Sequence, residues 1–182
     1  VLVTGASGGV GSAVVQLARA RGATVLAVTA AAKAGGVRDL GADATIDRGA
    51  DVTAEVGTDE VDVVVDLVGG PAWPKLLDVL RPKGRYAVSG AIAGAIVELD
   101  LRTLYLKDLS FFGCTVLEPE VFANLVARIE ANEVRPVVAQ TFALRDIGAA
   151  QDAFARKDLS LIHISEPTRP LYISYAVFCL KK

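Results

Sequence analysis

The 182-residue sequence has no methionine, one histidine and two cysteines, and each scarcity removes a class of explanation. Cys114 and Cys179 stand far apart and build no disulfide framework of the secreted kind, so a reducing, cytoplasmic setting is the expectation. No apolar run approaches the ~18 residues of a membrane span, and no charged segment leads into an apolar one as in a secretory signal. There is no basic block either. Lys and Arg number 19 against 21 Asp and Glu, for a formal charge of −2, so neither nucleic acid nor membrane is an expected partner. A missing methionine, with a first residue already inside a strand-like run, is expected of a piece of a longer protein. What remains is globular in composition, 52% hydrophobic and 22% charged, and long enough for one full core.

The most informative stretch comes first. Val1-Leu2-Val3 is an apolar run, Thr4-Gly5-Ala6-Ser7-Gly8-Gly9 a glycine-rich turn, and Val10, Ala13, Val14, Leu17 and Ala18 then fall at helical spacing. Strand, tight turn and helix is the geometry that aims backbone N–H groups and a helix N-terminus at a phosphate. Gly8 leaves room for a pyrophosphate to approach, and Gly11 for close packing of the helix. An ordinary strand–turn–helix connection is the competing reading, because a lone glycine pattern is weak evidence.

Further strands are predicted over 24–29, 44–46, 61–68, 84–90, 109–115 and 141–144. Between them the spacing predicts helices over 31–40 (weakened by Gly35-Gly36), 73–80, 101–106 and 121–129. A last helix puts Ile147, Ala150 and Phe154 on one face. Continuous apolar strands alternating with helices predict an α/β fold, a doubly wound parallel sheet in a single domain with right-handed crossovers. Asp62 and Asp66 read as edge or loop-end polar groups rather than a catalytic carboxylate pair, and Cys114 as a buried strand residue.

Four segments in combination resemble the cofactor domain of medium-chain dehydrogenases/reductases, especially quinone oxidoreductases and zinc-type alcohol dehydrogenases. They are Val3-Thr4-Gly5-Ala6-Ser7-Gly8-Gly9-Val10-Gly11, Leu40-Gly41-Ala42-Asp43, Asp62-Val63-Val64-Val65-Asp66-Leu67-Val68-Gly69-Gly70 and Leu80-Arg81-Pro82-Lys83-Gly84-Arg85. The resemblance implies a Rossmann fold over residues 1–158, with Ala6 where the Gly-x-Gly-x-x-Gly fingerprint has its first glycine. The opening also fits the Thr-Gly-x-x-x-Gly-x-Gly pattern of short-chain dehydrogenases. Those enzymes carry a Tyr-x-x-x-Lys pair, whereas Tyr86 is followed at that distance by Gly90 and Tyr105 by Leu109.

On the medium-chain resemblance, Ser7, Gly8, Gly9, Val10 and Gly11 would meet the pyrophosphate of a nicotinamide dinucleotide. Val68 and Gly69 would lie near a ribose, and Ser89, Gly90, Ala91, Phe112 and Gly113 along the nicotinamide end. Plain turn chemistry is the alternative for these glycines. The second strand ends Val28-Thr29-Ala30-Ala31-Ala32-Lys33, with no acid and one lysine. An acid there suits ribose hydroxyls and a cation suits a 2′-phosphate. Thr29, Lys33 and, less directly, Arg48 therefore favour NADPH over NADH, an exposed helix lysine being the other reading of Lys33. The implied parent is an NADPH-dependent oxidoreductase moving hydride to or from a small carbonyl, quinone, alcohol or activated alkene. The alternatives are a zinc-dependent alcohol dehydrogenase using NAD(P) and a non-catalytic NADPH-sensing domain. Substrate pocket and any zinc ligands would belong to an N-terminal domain outside this sequence. No catalytic or metal-binding residue is assigned within it, so the piece alone is expected to be inactive. Family members pair through the sixth strand, which makes Phe111-Phe112-Gly113-Cys114 the expected edge of a homodimer or homotetramer.

Residues 159–182 change character. Leu159-Ser160-Leu161-Ile162-His163-Ile164-Ser165-Glu166-Pro167-Thr168-Arg169 resembles the translation of a transposase adapter used in sequencing libraries. Ile173-Ser174-Tyr175-Ala176-Val177-Phe178-Cys179-Leu180-Lys181-Lys182 resembles its far end, in the same frame and order, with Pro170-Leu171-Tyr172 as the index between. The tail is expected to be non-native, disordered or adventitiously structured, in place of a final Gly-Lys-Ile-Val-Leu-like strand. His163 and Cys179 then cease to be a candidate metal or nucleophile–base pair. Without the tail's Glu166, Arg169, Lys181 and Lys182 the formal charge moves from −2 to −4.

Overall fold

The computed structural model describes residues 1–116, 118–155 and the backbone of 162–165. The chain forms two compact units, Val1–Arg135 and Pro136–Lys182.

The first unit is built on six strands: β1 (Leu2–Val3), β2 (Leu26–Thr29), β3 (Ala44–Asp47), β4 (Val61–Asp66), β5 (Leu80–Val88) and β6 (Ser110–Gly113). All pair in parallel, in the order β3-β2-β1-β4-β5-β6. The chain winds outward one way from β1 and then returns to begin again at β4. The carboxyl ends of β1 and β4 therefore flank the point where open α/β sheets form a ligand crevice.

Side-chain alternation explains why both faces are covered. Leu2 belongs to a buried cluster with Val64, Trp73, Leu76, Leu77 and Leu80. Its neighbour Val3 belongs to another, with Ala6, Val15, Val25, Ala27 and Val37. Successive strand residues point to opposite faces, so the two clusters are the two layers of a doubly wound sheet. One layer is supplied by α1 (Gly9–Ala20) and α2 (Ala34–Asp39), entered through a 3-10 turn over Ala31–Lys33. The other is supplied by α3 (Val52–Val56) and α4 (Trp73–Asp78). The remaining helices of this unit are α5 (Leu101–Leu106) and α6 (Pro119–Glu130).

Two local departures from the sequence pattern have physical causes. The five-residue α3 is too short to show helical periodicity. It is capped by the Asp51 carboxylate, which accepts from the Thr53 amide at 3.0 Å. Hydrogen bonds from Lys75 and Thr53 hold the Asp51 carboxyl below the usual carboxylate range. In addition, β5 begins at Leu80 rather than Gly84 and α4 stops at Asp78, because Leu80 pairs with Val61 before a register irregularity. Lys107 secures this corner. Its ammonium donates to the carbonyls of Leu77, Asp78 and Leu80 and pairs with Asp59 at 2.8 Å.

The second unit contains β7 (Gln140–Ala143), α7 (Ile147–Ala155) and β8 (Ile162–Ser165), with β8 parallel to β7. Here Ile162-His163-Ile164-Ser165 takes the place expected of a final strand. The rest of the 159–182 segment, Cys179 included, lies outside the described residues.

Candidate functional site

The turn after β1 is made by Gly5, whose φ of +61° is a left-handed conformation, and it closes through a 3.0 Å bond from the Gly8 amide to the Gly5 carbonyl. The conformational demand thus falls on Gly5 rather than on fingerprint position 6, which explains how a buried Ala6 is tolerated there. Gly11 is the close-approach position. A Cβ on it would stand 2.3 Å from the Gly5 carbonyl oxygen and 2.7 Å from Ala6 Cα, both backbone atoms. Gly8 opens α1 in extended conformation with no side-chain cap. The first amides of the helix have no acceptor within it, and they lie at its positive end. A cradle of this shape suits phosphate oxygens.

Behind the cradle is a hydrogen-bond network centred on Asp66, the last residue of β4, which is 0% exposed. Its carboxylate accepts from Thr4 Oγ1 at 2.5 Å, Tyr86 Oη at 2.7 Å, and the amides of Val68 and Gly69 at 2.9 and 3.1 Å. Thr4 Oγ1 accepts in turn from the Leu67 amide, and Tyr86 Oη from Trp73 Nε1 at 2.8 Å. Burial, followed by the bond to Asp66, raises the Tyr86 phenol above its ordinary range. Asp66 is thus a loop-end polar group as expected, but it ends an inner strand rather than an edge and is fully buried. A buried carboxylate persists when donors surround it, and these donors tie the ends of β1, β4 and β5 together. Asp62, by contrast, is exposed and pairs with Arg81 at 2.9 Å.

The turns after β4 and β5 interlock. Gly69 has φ +63°, and a Cβ on it would meet the Gly94 carbonyl oxygen at 2.6 Å; one on Gly90 would meet the Leu67 carbonyl oxygen at 2.7 Å. Ser89 Oγ donates to the Cys114 carbonyl at 2.8 Å. Cys114 itself is exposed just beyond β6, not buried as its strand-like neighbours suggest. β6 is an edge strand exposed along its length, so Cys114 has no covering layer among the described residues.

At the other side of the crevice Thr29 ends β2. It is 3% exposed, and its Oγ1 is buried without a hydrogen-bond partner among the described residues. The Arg48 amide donates to the Thr29 carbonyl at 2.9 Å, and the Ala6 amide to the Val28 carbonyl at 3.2 Å, which ties this end to the glycine turn. Lys33 is half-buried in the 3-10 turn, and Arg48 is exposed after β3. Sequence reasoning passed over one neighbour. Asp47, in register with Thr29 across the β2–β3 pair, accepts from the Ala31 amide at 3.1 Å and the Gly49 amide at 2.8 Å. Its signal was only positional: an acid ending the strand beside β2 rather than β2 itself.

The candidate residues therefore occupy the carboxyl ends of parallel strands. Ser7 to Gly11 follow β1, Thr29 and Lys33 lie at the end of β2, and Arg48 follows β3. Val68 and Gly69 follow β4, Ser89 to Ala91 follow β5, and Phe112-Gly113 end β6. The profile of the zinc-binding dehydrogenases matches residues 9–131. The chain belongs to that family. It is 35% identical over 151 residues to the acryloyl-coenzyme A reductase of Metallosphaera sedula, covering 81% of this chain and 44% of the relative. A candidate alcohol dehydrogenase of Sinorhizobium meliloti superposes with a TM-score of 0.83 at 44% identity, over 91% of this chain and 47% of that one. A Bacillus subtilis protein solved with NAD bound does so with a TM-score of 0.76 at 27% identity, over 90% and 53%. The chain spans about half the length of the relatives it matches. The family's descriptive name includes a metal, but among the described residues no group of three or more His, Cys, Asp or Glu side chains could hold one. No helix among them is long and apolar enough to cross a membrane.

Proposed function

We propose that this chain is the cofactor-binding part of a nicotinamide-dependent oxidoreductase, holding NADPH in preference to NADH. The observation that carries the reading is the Gly5–Gly11 cradle at the point where the strand order reverses. The orphaned Thr29 hydroxyl at the same crevice supports it, since a buried hydroxyl without a partner costs about 1–3 kcal/mol and a ligand hydroxyl can relieve that. Ser7 to Gly11 take the pyrophosphate and Thr29 the adenosine ribose, with Lys33 and Arg48 beside a 2′-phosphate. Val68, Gly69 and Ser89 to Ala91 extend toward the nicotinamide, with Phe112-Gly113 at its end. When bound, the dinucleotide supplies the hydride, and the chain supplies binding and orientation.

The parent's substrate is a small molecule able to accept or release hydride, an activated alkene first, as the acryloyl-coenzyme A reductase among its relatives suggests. The residues that select it belong to sequence beyond this chain, which by itself binds cofactor weakly at best and does not turn over substrate. The exposed β6 edge, with Phe111 37% and Phe112 49% exposed, is the surface through which two copies would extend one sheet. Residues 159–182 are a non-native, adapter-derived tail, and an intact genomic locus encoding them would refute that. The binding reading is tested by calorimetric titration of the 182-residue chain with NADPH and NADH. Lys33→Ala and Arg48→Ala should each weaken NADPH about three- to tenfold and leave NADH within twofold. Equal losses for both ligands would refute the 2′-phosphate assignment.

A further inference from the structure

The two strands at the ribose side of the crevice end in register, Thr29 on β2 opposite Asp47 on β3. Asp47 is exposed, and its two carboxylate oxygens are held by different turns. One accepts from the Ala31 amide after β2, and the other from the Gly49 amide after β3. The carboxylate is thus fixed between the segment carrying Lys33 and the segment carrying Arg48. Thr29, the residue opposite, keeps the partnerless buried hydroxyl. Thr29 shares a sheet face with Ala27, which packs with Ala6 and Val15 of the cradle layer.

We propose that Asp47 is a specificity-determining residue for the dinucleotide's adenosine ribose, an acid delivered by β3 to the place usually served by β2. The proposal rests on the dinucleotide reading above and deepens it. A carboxylate accepts a hydrogen bond from a ribose hydroxyl and repels a 2′-phosphate dianion. Lys33 and Arg48 act in the opposite sense. With one acid and two cations at the same end, discrimination between phosphorylated and unphosphorylated cofactor is narrow, and Asp47 sets its limit.

The test is a ratio. Dissociation constants for NADPH and NADH are measured on the 182-residue chain and on its Asp47→Asn, Asp47→Ser and Asp47→Glu variants at low salt. Losing the charge should raise the NADPH preference about five- to tenfold in both neutral variants, the shift shrinking as salt screens it. Asp47→Glu should stay within twofold of the starting ratio. Asp47→Ser offers a hydroxyl to the turn amides and guards against a local collapse in Asp47→Asn. A purely structural role would weaken both ligands together and leave the ratio unchanged. An unchanged ratio with both ligands still bound overturns the proposal alone. Failure of the unmodified chain to bind either dinucleotide overturns the underlying reading as well.

Discussion

Two helices of twelve residues each, α1 and α6, share an amphipathic pattern and fare differently. α1 buries Gly11, Ser12 and Val15 against the turn and sheet. α6 buries no residue among those described, and its Val121 and Phe122 remain 46% and 49% exposed. The same contrast separates β1, two residues long and wholly buried, from β6, four residues long and exposed throughout. Around the glycine cradle the described chain supplies its own neighbours. Toward β6 and α6 it presents apolar side chains to solvent. Amphipathicity alone does not bury a helix, which also needs a surface that fits it. α1 has one because Gly11 lets it sit against backbone.

That contrast can be broken at several points. The largest effect belongs to Asp66→Ala, which removes the acceptor of two buried hydroxyls and two amides. It should cost about 3–5 kcal/mol by chemical denaturation, whereas Asp62→Ala, at the exposed start of the same strand, should cost under about 1 kcal/mol. Next is Gly11→Ala, whose Cβ meets backbone that cannot step aside. About 2–3 kcal/mol should be lost, together with at least tenfold in dinucleotide affinity. Gly113, on β6, has none of the described residues within 4 Å of where an added Cβ would stand, and Gly113→Ala should leave stability within about 0.5 kcal/mol.

Tyr86 gives the pH-dependent test. Its folded phenol is held protonated above the ordinary tyrosine range, so its contribution to stability is fully present until the unfolded phenol ionises around pH 10. Beyond that, stability falls as pH rises toward the folded value, because the unfolded chain then binds fewer protons. Tyr86→Phe should flatten this alkaline limb while costing about 1–2 kcal/mol at neutral pH through lost hydrogen bonds. Thr29→Val is smaller and opposite in sign. Removing an unsatisfied buried hydroxyl should stabilise the free chain by about 1 kcal/mol while weakening both dinucleotides. The smallest change is expected of Val121→Ser on α6, within about 0.5 kcal/mol, and a larger loss would mean that α6 is covered after all.

Most of the fold was legible because alternation and helical spacing are local signals. The strands near 24–29, 44–46, 61–68 and 109–115, and the helix near 121–129, all appear within a few residues of their expected ends. The glycine turn was legible because backbone geometry restricts its sequence. The misreadings concern relations across the sheet. Asp66 and Thr4 are 62 positions apart, and only the β1–β4 pairing makes their hydrogen bond foreseeable. Asp47 was missed for the same reason, as its place opposite Thr29 shows only once the register of β2 and β3 is known. Cys114 was misjudged because the strand-like run continues past Gly113, and composition does not mark where β6 stops.

On the function proposed above, cofactor is held at the cradle end of the sheet and not at the α6 end. Amide chemical shifts of the 15N-labelled chain, followed while NADPH is titrated in, test it directly. The largest shifts are expected at Ser7 to Gly11, Thr29 to Lys33, and Val68-Gly69, with Val121 to Ile129 of α6 unmoved. Shifts confined to α6 and β6, or none in the glycine turn at saturating NADPH, would contradict it.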